Sequence, residues 1–127
     1  MPDLIVEWRL LGADRYAATN GIDRIWMDPR QGQAERRCSL AHELAHIELG
    51  HVDGCTGADE EHAADLAARR LIEIERLADT LAWTRDLDEA AEALWVDRGT
   101  LDVRLEHLDD AERRHLREHL AACERGA

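Results

Sequence analysis

The stretch from Ser39 to Gly50, which reads SLAHELAHIELG, limits the possible folds of this chain more than any other. It contains an H-E-x-x-H run in which His42 and His46 are four residues apart. On an α-helix both imidazoles then lie on one face and reach one metal ion. Glu43 lies beside that face, where its carboxylate can hold a water at the metal. This pattern is typical of zinc metallopeptidases, although an amphipathic helix can also carry such residues by chance.

A catalytic zinc usually takes three protein ligands and leaves a fourth position for water, so the chain must supply one more. The best candidate is Glu61, which opens an E-x-x-A-D pattern on a helix predicted from about residue 58 to 83. Asp65 lies on the same helical face, where it can accept the free ring N–H of a zinc-bound histidine. Glu60, His62 and Asp65 itself compete for the ligand position. The acidic cluster also suits the positive end of a helix dipole without any metal.

Two further groups near the motif have simpler interpretations. His51 fails the spacing of the third histidine in metzincins and points away from the ligand face if the helix continues, so we predict a turn residue near the site. Cys55 could supply a thiolate, but no C-x-x-C accompanies it, which favours a free thiol. Residues 115–119 form an inverted H-x-x-E-H motif, which we assign to the terminal helix because it lacks room for a downstream acidic ligand.

The remaining chain predicts an α+β fold in a single zincin-like domain. Strands are predicted at residues 4–11, 14–19 and 22–27. Asn20-Gly21 is a strong hairpin signal between the last two, and the metal helix begins near Gln33 or Ala34. We therefore expect a small antiparallel N-terminal sheet packed on a zincin-like helical core, followed by a helix-turn-helix-like segment. The sheet occupies 1–30, the H-E-x-x-H and E-x-x-A-D helices 31–84, and the C-terminal helices 85–127.

The helix-turn-helix-like segment, residues 87–108, predicts two helices joined by a tight turn. Its second helix carries Asp97, Asp102 and Glu106 against two arginines. Phosphate contacts need local positive charge, so we expect no direct binding to nucleic acid. The segment then serves for packing or for docking a target protein.

Composition agrees with this expectation. The 127 residues suit one domain, and the net charge of −12 argues against nucleic acid and against an anionic membrane as partners. No stretch resembles a signal peptide or reaches transmembrane length. The three cysteines are widely spaced, which favours a reduced, cytoplasmic protein.

The run SLAHELAHIELGH, followed by the E-x-x-A-D helix, resembles the ImmA/IrrE family of zinc metallopeptidases over roughly residues 12–108. The resemblance implies a small intracellular protein, often carried by phages and mobile elements or acting in stress responses. Members cleave or otherwise inactivate a helix-turn-helix repressor and so derepress its genes. This chain departs from the family at Ala67, where a bulky aromatic is usual. It also departs at residues 71–74, where Leu-Ile-Glu-Ile replaces Leu-Leu-x-Pro.

The sequence therefore predicts a gluzincin-like zinc metallo-endopeptidase with a repressor protein as its substrate. Its Zn²⁺ ligands are His42, His46 and Glu61, and its catalytic base is Glu43. Asp65 accepts a hydrogen bond from the ring N–H of one ligand histidine. The alternative is a non-catalytic, zinc-stabilised module that sequesters a repressor.

Overall fold

The computed structural model describes residues 3–12, 15–52 and 56–126. The strands within these residues are β1 (Ile5–Trp8), β2 (Ala17–Thr19) and β3 (Arg24–Met27). The helices are α1 (Gln33–Glu48), α2 (Gly57–Leu71), α3 (Ile74–Trp83), α4 (Leu87–Leu94), α5 (Arg98–Glu106) and α6 (Asp110–Gly126). The predicted α+β class is confirmed. None of the described helices combines the length and the apolar composition that crossing a membrane requires.

The sheet is mixed, so the prediction of an antiparallel sheet is wrong. Its strand order is β1-β3-β2, with β3 in the centre. The β2–β3 hairpin at Asn20-Gly21 is antiparallel, as its turn signal predicts, and pairs Ala18 with Trp26. However, β1 pairs with β3 in parallel, with Val6 opposite Ile25. A turn signal reports only on strands adjacent in sequence, and the segment after β1 is long enough to carry β2 to the far edge of β3.

The predicted long helix over residues 58–83 is instead two helices. It breaks at Ile72, which has extended backbone angles (φ −126°, ψ 97°) and a completely buried side chain. The Ile72 carbonyl accepts a hydrogen bond from Arg104 Nε at 2.9 Å. The apolar periodicity continues across the break because α2 and α3 both face apolar neighbours. The break therefore coincides with a contact from α5, which the local sequence does not indicate.

The hydrophobic core lies mainly in the C-terminal half of the molecule. The two helices predicted at residues 87–108 are present as α4 and α5, and Trp95 joins them in a left-handed conformation (φ 60°). Arg37 on α1 donates to the carbonyl oxygens of Leu94 at 3.2 Å and Trp95 at 2.8 Å, which ties α1 to the end of α4. The buried core residues are Cys38, Ile72, Leu77, Ala78, Ala90, Ala91, Leu94, Val96, Leu101 and Leu116.

Helix α1 lies between helix α2 and the sheet. It packs against α2 and also contacts β2 and β3. The predicted start of α1 at Gln33 is confirmed. The H-E-x-x-H residues therefore lie where a helix, a second helix and the edge of the sheet come together.

Candidate metal centre

Two histidines on α1 meet one carboxylate on α2. His42 Nε2 and His46 Nε2 are 3.1 Å apart. Glu60 places Oε2 at 2.9 Å from His42 Nε2 and Oε1 at 3.3 Å from His46 Nε2. The four-residue spacing of the motif thus brings both imidazoles to one point, and α2 supplies the third group.

The three groups fit a divalent metal ion. Bonds of about 2.0–2.1 Å at tetrahedral angles place ligand atoms roughly 3.3 Å apart. The separations of 2.9, 3.1 and 3.3 Å among His42, His46 and Glu60 are close to that value. Two imidazoles and a carboxylate form a donor set that suits zinc. These three residues therefore form a candidate metal centre, which we call the donor cluster.

The carboxylate in this cluster is Glu60, whereas the sequence favours Glu61 and treats Glu60 as a competitor. Neighbouring residues on an α-helix point about 100° apart, so only one of the two can face α1. Glu61 is exposed and is not among the residues that converge in the described part of the chain. The competitor His62 is exposed as well. The geometry favours Glu60 over Glu61 because the rotation of α2 against α1 decides which side chain faces the histidines.

Glu60 is held in its ionised form. Burial acts to raise the pKa of this carboxyl. The hydrogen bond to His42 and the charge of both histidines outweigh that effect, so the pKa lies below its ordinary value. An ionised carboxylate is the form that binds a metal.

Glu43 is a buried carboxyl beside the donor cluster, only 8% exposed. Burial raises its pKa above the ordinary value. His42 and Arg15 oppose that effect by their positive charge, and Glu60 adds to it. A carboxyl with a raised pKa is suited to accept a proton and later return it near neutral pH. The predicted base therefore lies in surroundings that fit the role.

The second ring nitrogen of His46 contacts His51, a residue that the sequence places away from the ligand face. His46 is 3% exposed, and burial lowers its pKa. Its Nδ1 lies 2.9 Å from His51 Nδ1, and His51 Nε2 lies 3.4 Å from Asp59 Oδ1. If His51 donates its Nε2 proton to Asp59, its Nδ1 accepts the proton of His46 Nδ1. The lone pair of His46 Nε2 then points toward the donor cluster, where it can bind a metal.

His51 reaches this position because α1 ends before it. Gly50 adopts a left-handed conformation (φ 76°), and the His51 amide donates to the His46 carbonyl at 3.0 Å. The chain therefore turns back over the last turn of α1. The signal in the sequence is the helix-ending glycine, which makes the rule for continued helices inapplicable at His51.

The turn between β2 and β3 lies close to the backbone of His51 and Val52. Gly21 has φ 78°, and a Cβ there would lie 2.1 Å from the His51 carbonyl oxygen and 2.7 Å from the Val52 Cα. Only glycine allows the turn and this backbone to approach so closely. The hairpin therefore holds His51 in place against His46.

Asp65 has a different partner from the one that the sequence predicts. Its Oδ1 accepts a hydrogen bond from Arg69 Nε at 2.9 Å. Arg69 also donates to Glu112 and to the His107 carbonyl, so this carboxylate belongs to a network toward α6. In the structure it is His51 that contacts the second ring nitrogen of a donor-cluster histidine, His46. Cys55 lies outside the described residues.

The donor cluster opens into a polar cleft of about 380 Å³. Glu43, His46 and Glu60 line one side of it, and strand β2 with the preceding Arg15 lines the other. Among the residues that the structure describes, β2 pairs with β3 alone in the order β1-β3-β2, which makes it an edge strand of that sheet. The sequence gives no direct sign of Arg15 or β2 in the site, because both arrive through sheet packing.

Two imidazoles, a converging carboxylate and a buried carboxyl beside them are the parts of a metallopeptidase-type site. The model of the peptidase M78 family, described as the IrrE N-terminal-like domain, matches residues 9–122. The chain therefore belongs to the ImmA/IrrE family, as the H-E-x-x-H and E-x-x-A-D patterns suggest. No curated protein and no solved structure matches it.

Proposed function

We propose that this chain is a zinc-dependent metallopeptidase of the cytoplasm that cleaves or otherwise inactivates a helix-turn-helix repressor, so that the repressed genes are expressed. The observation that carries the proposal is the convergence of His42, His46 and Glu60 beside the buried Glu43. The repressor as target follows from the ImmA/IrrE resemblance.

The residues of the site divide the chemistry among them. His42, His46 and Glu60 would hold zinc, which when bound polarises a carbonyl and lowers the pKa of a water. Glu43 takes a proton from the attacking water and passes it to the leaving amine. Its raised pKa makes the carboxylate a stronger base for the proton that it takes from the water. His51 fixes the tautomer and orientation of His46 from behind.

Strand β2 is suited to hold a peptide substrate in the cleft. Residues 17–19 line the cleft, and the outer edge of the strand faces away from β3. An extended peptide can pair with the backbone groups of such an edge, which orients its carbonyl groups regardless of side chains. The Arg15 side chain adds positive charge on the same side of the cleft. A scissile carbonyl held there would face the donor cluster.

The charges of α5 support a protein target rather than DNA. Arg98 pairs with Asp102 at 2.9 Å and with Asp88 at 3.0 Å. Arg104 is buried against Glu112. Both arginines of the helix are therefore occupied by carboxylates, which leaves little positive charge for phosphate contacts.

Glu43→Gln tests catalysis against sequestration. The amide cannot accept the proton, so we expect cleavage of the repressor to fall by about 10²–10⁴-fold while bound zinc is unchanged. The measurements are metal analysis and cleavage of repressors encoded nearby. Glu48→Gln, an exposed carboxylate on the same helix, is the matched control. Unchanged relief of repression by Glu43→Gln would make the protein a sequestering module.

A further inference from the structure

A second cavity lies on the His42 side of the donor cluster. It encloses about 280 Å³ between α1, α2 and α5. A smaller cavity of about 200 Å³ lies between it and the metal cleft, since it shares Cys38 and Thr100 with the second cavity and Ala17 and Glu43 with the cleft. The inner wall consists of small or apolar side chains, namely Cys38, Ala64, Ala67, Gly99, Thr100 and Val103. The metal cleft is polar, whereas this space is mainly apolar.

The cavity exists because small residues face each other where α5 meets α2. Ala64 and Ala67 are on α2, and on α5 a Cβ at Gly99 would meet only the Asp97 side chain, at 3.6 Å. Larger side chains at these positions would fill the space. The cavity is therefore a product of residue size and not of a gap between loosely packed helices.

Hydrogen bonds fix the outer wall of the cavity. The Asp97 side chain accepts from the Thr100 amide at 2.7 Å and so caps α5. The Asp97 amide in turn donates to Cys38 Sγ at 3.4 Å, which ties the start of α5 to α1. A wall built in this way is preformed, so a ligand that enters need not order it.

We propose that this cavity is the specificity pocket of the peptidase and receives an aliphatic side chain of the residue next to the scissile bond. The inference rests on the proposed function. In a peptide along β2 with its carbonyl at the donor cluster, the Cα bonded to that carbonyl carbon lies about 1.5 Å from it, so its side chain starts beside the smaller cavity. Apolar walls favour burial of an aliphatic group. Asp97 at the entrance disfavours an acidic side chain by like charge.

Binding of small zinc-chelating probes tests the pocket without turnover. The probes are a dipeptide hydroxamate with an isobutyl side chain and the same compound with glycine. Titration calorimetry on the zinc-loaded protein should give at least about 10-fold tighter binding of the isobutyl compound, since even one buried methylene can contribute that much.

Ala67→Leu should fill the pocket and remove the preference for the isobutyl compound, while zinc content and binding of the glycine compound stay unchanged. Val103→Ala is the second variant, since it enlarges the pocket without overpacking it. It should improve binding of an indolylmethyl hydroxamate relative to the isobutyl one. Ala93→Leu, on the exposed face of α4, is the matched control and should leave every ratio unchanged.

The outcomes separate the pocket from the proposed function. Equal binding of the isobutyl and glycine compounds to the wild-type protein would overturn the pocket and leave the metallopeptidase intact. Ratios unaffected by both pocket variants would overturn it as well. Failure of every hydroxamate to bind the zinc-loaded protein would overturn both proposals together.

Discussion

Two clusters of polar side chains lie at helix contacts, and they are built in opposite ways. Between α5 and α6, the buried Arg104 donates to Glu112 at 3.2 Å and to the Ile72 carbonyl at 2.9 Å. Glu112 also accepts from Arg69 at 3.0 Å. Positive donors here meet negative acceptors. In the donor cluster between α1 and α2, all three groups converge on the same point, where a metal ion would take a lone pair from each.

The difference lies in what each cluster needs. Opposite charges with hydrogen bonds largely offset the cost of their own burial, so the Arg104–Glu112 network is complete by itself. It lies beside the hydrophobic core. Lone pairs that converge on one point repel one another until a proton or a cation joins them. The donor cluster can therefore hold a metal ion, and we expect the two clusters to respond differently to substitution.

The largest effect is expected from removing a histidine of the donor cluster. His46→Ala should reduce bound zinc from about one per chain to background, because a catalytic site needs three protein ligands. The measurement is metal analysis after gel filtration. His62→Ala, an exposed histidine on α2, should retain its zinc. Full zinc content in the His46 variant would mean that the metal lies elsewhere.

Two separate substitutions on α2 test whether Glu60 or Glu61 is the third metal ligand. Glu60→Gln should weaken zinc affinity by more than about 100-fold, which exceeds the usual cost of losing a group behind a ligand. Glu61→Gln should change affinity little, because that side chain is exposed. Competition with a chromophoric chelator measures both. The reverse result would restore the ligand that the sequence favours.

Arg104→Met tests how much the Arg104–Glu112 network contributes to stability. It leaves the Glu112 carboxylate without its main partner, and we expect a loss of about 3–5 kcal/mol in the free energy of unfolding. Urea unfolding of the metal-free protein measures this loss. The double variant Arg104→Met/Glu112→Leu should recover part of the stability, because no uncompensated charge remains. Equal stability of the single and double variants would show that the charge pair is not the cause. Zinc affinity should stay unchanged in both.

Substitutions of His51 and Asp65 should differ in their effects, since His51 contacts His46 of the donor cluster and Asp65 belongs to the Arg69 network. His51→Ala should weaken zinc affinity by about 10–100-fold, and His51→Gln, which can still accept a hydrogen bond, by less. Asp65→Asn should leave affinity nearly unchanged, because its ion pair with Arg69 is partly exposed. A 10–100-fold loss in Asp65→Asn would instead support the role that the sequence predicts for it.

The smallest effect that we expect is the change in stability of the Arg104–Glu112 network at acid pH. The hydrogen bond from Arg104 lowers the pKa of Glu112 from 4.5 to about 2. A carboxyl with a lowered folded-state pKa contributes stability that is fully present above about pH 4.5 and is lost as the pH falls toward 2. The stability difference between wild type and Glu112→Gln, both metal-free, should therefore shrink between pH 5 and pH 3. A constant difference would contradict the lowered pKa.

Features that depend on short-range geometry can be read from the sequence. His42, Glu43 and His46 share one helical turn because four residues span about one turn of any α-helix. The hairpin at Asn20-Gly21 is likewise local, because the Asn20 side chain accepts hydrogen bonds from the amides of Ile22, Asp23 and Arg24. The resemblance to the ImmA/IrrE family rests on the H-E-x-x-H and E-x-x-A-D patterns, which are also local.

How these local pieces meet follows from the tertiary structure. Glu60 rather than Glu61 faces the histidines because the rotation of α2 against α1 is set by packing along both helices. The Ile72 carbonyl at the helix break accepts a hydrogen bond from Arg104, 32 residues away along the chain. Gly50 is a local signal for the end of α1, but the room for His51 beside His46 also depends on Gly21. Contacts between segments distant in sequence, such as those of Arg104 and Gly21, are absent from any local pattern.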